Sequence, residues 1–232
     1  ASNSVDTLPG LIVSAPILGL ATVTTAAGAS LDANLVYVSS SPGSVPTGLQ
    51  ATIRHQASGL EVTTTVVDGG FDPVALAATE GDSLVVTFTR GGSAGPIVGM
   101  LPVKARRPPR VVRTDPAANR TDVPLNARVA IVFSAPIDSM TLSAGSVQLW
   151  RGTTQVPGSV RFGDLAHLRA EFHPDTLLAA QADYLLVLGQ EIHDVNGVAL
   201  ESAVAIPFTT GTTGTTGPPT SLVFASVSVG QT

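Results

Sequence analysis

Short runs of Val, Ile, Leu and Thr recur along the chain, separated by clusters of Gly, Asp, Ser and Pro. In Val129-Ala130-Ile131-Val132-Phe133, large apolar residues occupy every second position, which is the period of a strand with one buried face. Asp68-Gly69-Gly70 and Glu80-Gly81-Asp82 are typical of tight turns. Short strands at such regular spacing predict an all-β protein built from antiparallel sandwiches.

Charged residues are scarce in this chain. They make up 12% of the 232 residues, against roughly a quarter in an average soluble domain, and the net charge is −5. This length is sufficient for two modules, whose exposed faces would carry hydroxyls and small side chains. A nucleic-acid partner is not expected, because neutralising phosphates requires clustered Lys and Arg.

Distinct motifs lie at both ends of residues 109–211. The stretch opens with Thr114-Asp115-Pro116-Ala117-Ala118-Asn119-Arg120-Thr121-Asp122-Val123-Pro124, passes through Phe133-Ser134-Ala135-Pro136-Ile137-Asp138, and closes on Asp194-Val195-Asn196-Gly197 and Pro207-Phe208-Thr209-Thr210-Gly211. In order and spacing it resembles the bacterial Ig-like domains of the "domain 5" type, found in S-layer and other bacterial surface proteins. The resemblance implies an architectural role without an active site. Seven candidate strands match the usual number for a constant-type Ig sandwich.

Residues 31–103 resemble another bacterial Ig-like module. They contain an Asp68-Gly69-Gly70-Phe71 turn and an Ala-x-x-Gly-Asp turn ending at Asp82, followed by the strand-like Leu84-Val85-Val86-Thr87-Phe88. Six candidate strands lie between Leu35 and Val103. The predicted organisation is therefore two tandem Ig-like sandwiches plus a surplus strand: lead-in 1–30, first sandwich 31–103, linker 104–108, second sandwich 109–211, Thr/Gly/Pro linker 212–219 and C-terminal strand 220–232.

The C-terminal strand follows a low-complexity linker that cannot form a core. Its side chains alternate, with Val223, Ala225, Val227 and Val229 on one face and Leu222 and Phe224 on the other. An isolated apolar strand is not stable in water, and the second module already has seven strands. It therefore pairs within its own chain, adds to a neighbouring subunit by β-augmentation, or begins a further domain. The candidate subunit-interface residues are Leu222, Val223, Phe224, Ala225, Val227 and Val229.

No catalytic, cofactor or metal site is predicted. His55, His167, His173 and His193 are scattered, without the His-x-x-x-His spacing of a metal site. Asp194-Val195-Asn196-Gly197 overlaps a calcium-loop pattern, but position twelve of such a loop is Ala205 rather than Glu, and a tight turn explains the motif. With no Cys, the chain can form neither disulfides nor thiolate metal sites.

Five aromatic residues are predicted to be largely buried in the second module. Tyr184 matches the tyrosine-corner position of Ig-like folds, in which its hydroxyl bonds back to the preceding turn. The basic cluster from Lys104 to Arg110 is interpreted as a stiff, solvated linker, with an acidic partner as the alternative. The predicted core aromatics are Phe133, Trp150, Phe172, Tyr184 and Phe208.

Together these features predict a secreted structural subunit of a cell-surface or extracellular assembly. It would form homo-oligomers or homopolymers by adding its C-terminal strand to a neighbouring subunit. The alternative is an Ig-like spacer or adhesin fragment of a modular surface protein. The chain begins at Ala1, so we expect a signal peptide to have been removed, and no run approaches the ~20 apolar residues of a membrane helix.

Overall fold

A computed structural model describes residues 10–24, 30–90 and 97–214. The described residues form seventeen β-strands and no helix, so the predicted all-β fold class is confirmed. They divide into two compact units between Arg107 and Pro108. In these three ranges we find no helix with the length and hydrophobicity of a transmembrane span.

The first unit contains a sheet built around its longest strand, β3. Val38 of β3 pairs with Val13 of β1 on one side and with Val74 of β6 on the other. Leu35 likewise pairs with Ile17 of β2 and with Ala77 of β6, so β1 and β2 follow one another along the same side of β3. The strands are β1 (Leu11–Val13), β2 (Ile17–Thr24), β3 (Ser30–Ser40) and β6 (Phe71–Ala77).

Residues 10–24 therefore do not form the irregular lead-in that the sequence predicted. Leu11–Val13 form β1, and β2 begins at Ile17 and continues through Gly19. Val13, Ala15 and Ile17 are buried. Because both strands pair with β3, the boundary drawn at residue 31 does not separate two structural elements.

The second sheet of the first unit has the strand order β5-β4-β7-β8, with every pair antiparallel. Alternate residues of β4 and β7 face the other sheet, so that Ile53, Leu84 and Val86 are fully buried with Val36 and Val38 in one core. The strands are β4 (Gln50–His55), β5 (Glu61–Thr65), β7 (Ser83–Thr89) and β8 (Ile97–Pro102).

The turn at Asp68-Gly69-Gly70 requires its glycines. Asp68 and Gly69 have φ of 52° and 74°, in the left-handed region. A Cβ on Gly70 would lie 2.5 Å from the carbonyl oxygen of Ser40, which is closer than atoms can approach. The two glycines of this motif are therefore required for different reasons, Gly69 for the turn and Gly70 for a close contact between backbones.

The second unit also contains two sheets. One has the order β14-β15-β11-β9, and the other β10-β17-β16-β12-β13, in which the short β10 pairs parallel to β17. The seven predicted strands are present, except that the one predicted at Gln155–Phe162 is divided into β13 and β14, and β10 is an additional strand. The bounds are β9 (Val111–Asp115), β10 (Arg120–Val123), β11 (Val129–Phe133), β12 (Val147–Arg151), β13 (Thr154–Gln155), β14 (Gly158–Phe162), β15 (Arg169–Pro174), β16 (Asp183–Leu188) and β17 (Val204–Thr210).

Four of the five predicted core aromatics of the second unit are buried. Phe133, Phe172, Tyr184 and Phe208 are each at most 4% exposed. Trp150 is only half-buried, so its prediction is wrong. In β12 the inward positions are Val147 and Leu149, and the alternation of the strand places Trp150 on the outer face.

The predicted tyrosine corner is present. The backbone N–H of Ala179 donates a 2.8 Å hydrogen bond to the hydroxyl of Tyr184, whose ring stacks on Phe208 at a centroid distance of 5.5 Å. Leu178, beside the bonded residue, is buried in the same core. This bond joins the turn before β16 to the strand that follows it.

Phe133→Ala should lower the free energy of unfolding of the second unit by about 3–5 kcal/mol, because it leaves a cavity in a closely packed core. Urea unfolding followed by the fluorescence of Trp150, the single tryptophan, reports on this unit. The matched control is Leu165→Ala, since Leu165 is fully exposed and its truncation leaves no cavity. Equal midpoints for Phe133→Ala and wild type would contradict the packing.

Tyr184→Phe should cost about 1–3 kcal/mol, because the substitution keeps the buried ring and leaves the Ala179 N–H without its acceptor. The same urea titration measures it. An unchanged m value together with a lower midpoint identifies a loss of stability rather than a change in compactness.

Candidate functional site

The six candidate interface residues of the C-terminal strand, Leu222, Val223, Phe224, Ala225, Val227 and Val229, lie outside the described residues. The same holds for the linker from Thr215 onward. Their pairing therefore stays a prediction from sequence. The described part of the chain ends at Gly214, where a Cβ would lie 3.8 Å from the Leu125 side chain.

His55 is the most buried of the four histidines and links two turns of the first unit. The Ser58 backbone N–H donates to His55 Nδ1 at 3.0 Å, and the Ser58 hydroxyl oxygen lies 2.7 Å from the same nitrogen. The other ring nitrogen, Nε2, lies 3.0 Å from Asp82 Oδ2. The ring N–H is not aligned with that oxygen, so this contact is mainly electrostatic.

The cluster of His55, Ser58 and Asp82 contains the residue types of a catalytic triad but has the contacts of a structural clamp. The Ser58 hydroxyl oxygen also accepts the Leu60 N–H at 3.3 Å, which holds it within the turn between β4 and β5. Sequence reasoning missed this cluster because its members are distant in the chain. The pairing of His55 with Leu84 in adjacent strands brings them together.

Asp82 caps its own turn through Thr79. Its Oδ2 accepts the Thr79 backbone N–H at 2.7 Å and the Thr79 hydroxyl at 3.0 Å. Burial raises the pKa of Asp82, but the hydrogen bond from the Thr79 backbone, together with His55 and the Thr79 hydroxyl, lowers that pKa below its usual value. The ionised carboxylate is therefore the form that stabilises the turn.

The other three histidines lie apart in the second unit. His173 Nε2 is 3.1 Å from Glu171 Oε2, and the His167 ring stacks on Phe162 at 4.1 Å. The backbone N–H of His193 donates to the Thr141 hydroxyl at 3.1 Å. Within the described ranges, no group of three or more His, Asp or Glu is placed to hold a metal ion.

Asp194, the first residue of the calcium-like motif, is buried and organises a turn. Its Oδ1 accepts the backbone N–H groups of Asn196 at 3.0 Å and Val198 at 2.7 Å. Gly197 has φ of 75°, as the turn requires. Backbone donors therefore occupy this carboxylate oxygen, in agreement with the tight-turn interpretation.

The basic cluster makes contacts with backbone and side-chain oxygens. A guanidinium nitrogen of Arg107 donates to the carbonyl of Pro102 at 3.1 Å. Arg110 forms an ion pair with Glu201, and its backbone N–H donates to the Ser134 hydroxyl at 2.9 Å. Two of the basic residues are thus tied to neighbouring strands and loops.

Trp150 contributes to an apolar row on the outer face of its sheet. It pairs with Leu185 of β16, and Leu185 pairs with Pro207 of β17. Leu185 is 38% exposed, and Gln148 Oε1 accepts the indole N–H at 3.0 Å. The alternation in β12 was the sequence signal that could have placed Trp150 outside the core.

The two sheets of residues 108–214 define an Ig-like β-sandwich. Residues 105–210 match the family model described as "Bacterial Ig-like domain", so this segment is a bacterial Ig-like domain. This match confirms the resemblance predicted for residues 109–211. The search of curated proteins found no significant match.

Solved structures similar to this chain include surface proteins. One is "Crystal structure of the S-layer protein rSbsC(31-844)", with 18% identity, a TM-score of 0.36, and coverage of 45% of this chain and 14% of that one. Another is "Biofilm associated protein - BSP domain", with 14% identity, a TM-score of 0.34, and coverage of 89% and 30%. The chain thus spans less than a third of either structure.

Asp82→Asn should destabilise the first unit at neutral pH but not in strong acid. Because the folded-state pKa is depressed, the stability that Asp82 contributes is present above its unfolded pKa of about 3.9 and is lost as pH falls through the folded value. Melting temperatures of both proteins between pH 7 and pH 2 measure this. They should differ at pH 5–7 and converge below about pH 3; a constant difference would contradict the carboxylate's role.

Proposed function

We propose that this chain is a secreted structural subunit of a cell-surface or extracellular assembly, and that subunits polymerise when the C-terminal strand of one adds to a sheet of the next. The observation that carries the proposal is an uncharged segment, residues 221–229, whose sequence predicts a strand and which follows a Thr/Gly/Pro linker. The bacterial Ig-like domain at residues 105–210 supports an architectural role.

The position of β17 supports pairing of the tail outside its own sheet. β17 is the last described strand before the tail, and it lies between β10 and β16 in the strand order. Its end is also fixed, since the Thr210 hydroxyl donates to the Ala179 carbonyl at 2.6 Å and the Gly211 N–H donates to Val123. Because β17 already has a neighbour on each side, a tail that follows it cannot pair with β17 itself.

The energetics of strand addition are favourable for this tail. Burying each of its three Val side chains contributes roughly 1.5–3 kcal/mol. Main-chain hydrogen bonds along the added strand contribute further, and ordering the tail opposes both. Burial of these side chains and main-chain pairing are therefore the two contributions that we propose hold subunits together.

Deletion of residues 220–232 tests this function directly. The truncated chain should keep both units folded, by circular dichroism and by the Trp150 fluorescence transition, but should be monomeric by light scattering. A second variant, Val227→Lys, keeps the length of the tail and places a charge on the face that would be buried. It should also prevent assembly.

Two results would contradict the proposal. The truncated chain could assemble as wild type does, which would assign assembly to another surface. Alternatively, the full-length chain could be strictly monomeric with its tail protected from proteolysis, which would assign the strand to its own chain and favour the spacer or adhesin function.

A further inference from the structure

Strand β14 lies at one edge of its sheet, where β15 is its only neighbour among the described strands. All five of its residues pair with β15 in one continuous antiparallel register. Two hydrogen bonds just outside the strand show which of these residues bond to β15. The Asp175 N–H donates to the Pro157 carbonyl at 3.0 Å, and the Gly163 N–H donates to the Arg169 carbonyl at 2.8 Å.

Three residues of β14 therefore turn their backbone groups away from β15. Hydrogen-bonded and non-hydrogen-bonded pairs alternate along an antiparallel ladder, so Ser159 and Arg161 bond to β15. The N–H and C=O groups of Gly158, Val160 and Phe162 face the open edge instead. An added antiparallel strand could exchange two hydrogen bonds with each of these residues, about six in all.

The same edge leaves apolar side chains partly uncovered. Val160 and Phe162 pair across the ladder with Phe172 and Ala170, which are buried, and so share their inward face. Both side chains pack against the core of the second unit but are only partly buried themselves. An added strand with apolar inward side chains would cover them and extend this core.

Strand β5, an edge strand of the first unit, offers as many backbone groups but a polar surface. The His55 N–H donates to the Leu60 carbonyl at 2.7 Å, so the alternation turns the backbone groups of Glu61, Thr63 and Thr65 toward that edge. The side chains of these three residues are exposed. An added strand would gain hydrogen bonds there but would lie beside polar side chains.

Arg161, at the centre of β14, restricts which strands can add. It is the exposed residue of the strand, and its alternation with Val160 and Phe162 places it on the outer face. Two copies of β14 paired antiparallel would place their guanidinium groups opposite or diagonal to one another, where like charges are destabilising. The edge therefore disfavours pairing with its own copy, whereas an uncharged strand meets no such repulsion.

We propose that the open edge of β14 accepts residues 221–229 of a second copy of this chain. The inference rests on the proposed function and names the acceptor that strand addition would use. Residues 221–229 contain no charged side chain, which is the condition that Arg161 sets. The added strand would be antiparallel, as are all the other pairs of this sheet.

The two faces of the tail match the two faces of this edge. Its valine-rich face would cover Val160 and Phe162, and the face that ends in Ser226 and Ser228 would lie beside Arg161. The reach of the linker is sufficient for contact with a neighbour, because the seven residues from Gly214 to Ser221 can extend about 24 Å.

Disulfide trapping tests this edge directly, because the chain has no cysteine. Ser159→Cys places a thiol on the outer face of β14 and keeps Arg161. Residue 159 would form a non-hydrogen-bonded pair with the added strand, in which Cβ atoms lie about 4.5–5.5 Å apart, close enough for a disulfide after small adjustment. A second preparation carries Phe224→Cys, Ser226→Cys or Ser228→Cys, which share one face of the tail and together sample the register.

The two preparations are mixed before assembly and oxidised. We expect a covalent heterodimer from the Ser159→Cys mixture with at least one tail position. The matched control is Thr63→Cys, on the open edge of β5, which should not give that heterodimer. A heterodimer from Thr63→Cys but not from Ser159→Cys overturns the assignment to β14 and leaves strand addition intact.

A chain carrying both Ser159→Cys and the tail cysteine that cross-links to it separates the inference from the function on which it rests. At high dilution, a disulfide within single chains would mean that the tail pairs with β14 of its own subunit. That result overturns the proposal between copies and, with it, the proposed function. Tail-dependent assembly without cross-links at β14 would overturn the acceptor alone.

Amide hydrogen exchange provides a second measurement that requires no substitution. In the monomer, the N–H groups of Val160 and Phe162 should exchange rapidly, whereas those of Ser159 and Arg161, which bond to β15, should exchange slowly. On assembly, exchange at Val160 and Phe162 should slow by at least about tenfold, and exchange at Thr63 should not change. The rates are read by NMR after exchange in the assembly is quenched and the assembly is dissociated. Equal rates at Val160 and Phe162 before and after assembly would overturn the proposal.

Discussion

Both units depend on burying alternate side chains of short strands between two sheets. The cores contain few aromatic residues and are filled mainly by Val, Ile and Leu, such as Ile53 and Leu84 in the first unit and Ile131 and Leu186 in the second. Side chains of this size pack well only if each strand keeps its register, because a shift by one residue exchanges the buried and exposed faces. The turns, which help to fix the register of the strands, are therefore important for the fold.

The contacts at the turns are the clearest evidence of this dependence. Asp82, Asp164 and Asp194 each accept backbone N–H groups in a turn or loop between strands. These three carboxylates therefore serve local structure. Such use of Asp explains why charge can be scarce without loss of defined turns.

The second unit was more predictable from sequence than the first. Its strands alternate strongly and its motifs are specific. In the first unit, β1 has only three residues, and β2 follows Pro16 and contains Gly19, so local sequence did not indicate that both pair with β3. Trp150 was misplaced because residue type suggested a core position while the alternation of β12 indicated the opposite. The contact between His55 and Asp82 depends on strand pairing across separate turns, which local sequence patterns do not report.

Chain connectivity gives β8 a mechanical role. Among the described residues, β8 is the last strand of the first unit, and the eight residues between Pro102 and Val111 lead into the second. Tension carried along this connection would reach the β7–β8 ladder and the Val103 N–H bond to the Asp82 carbonyl. In the assembly that we propose, a pulling force passed along the chain from one unit to the other would therefore reach the first sandwich at this strand.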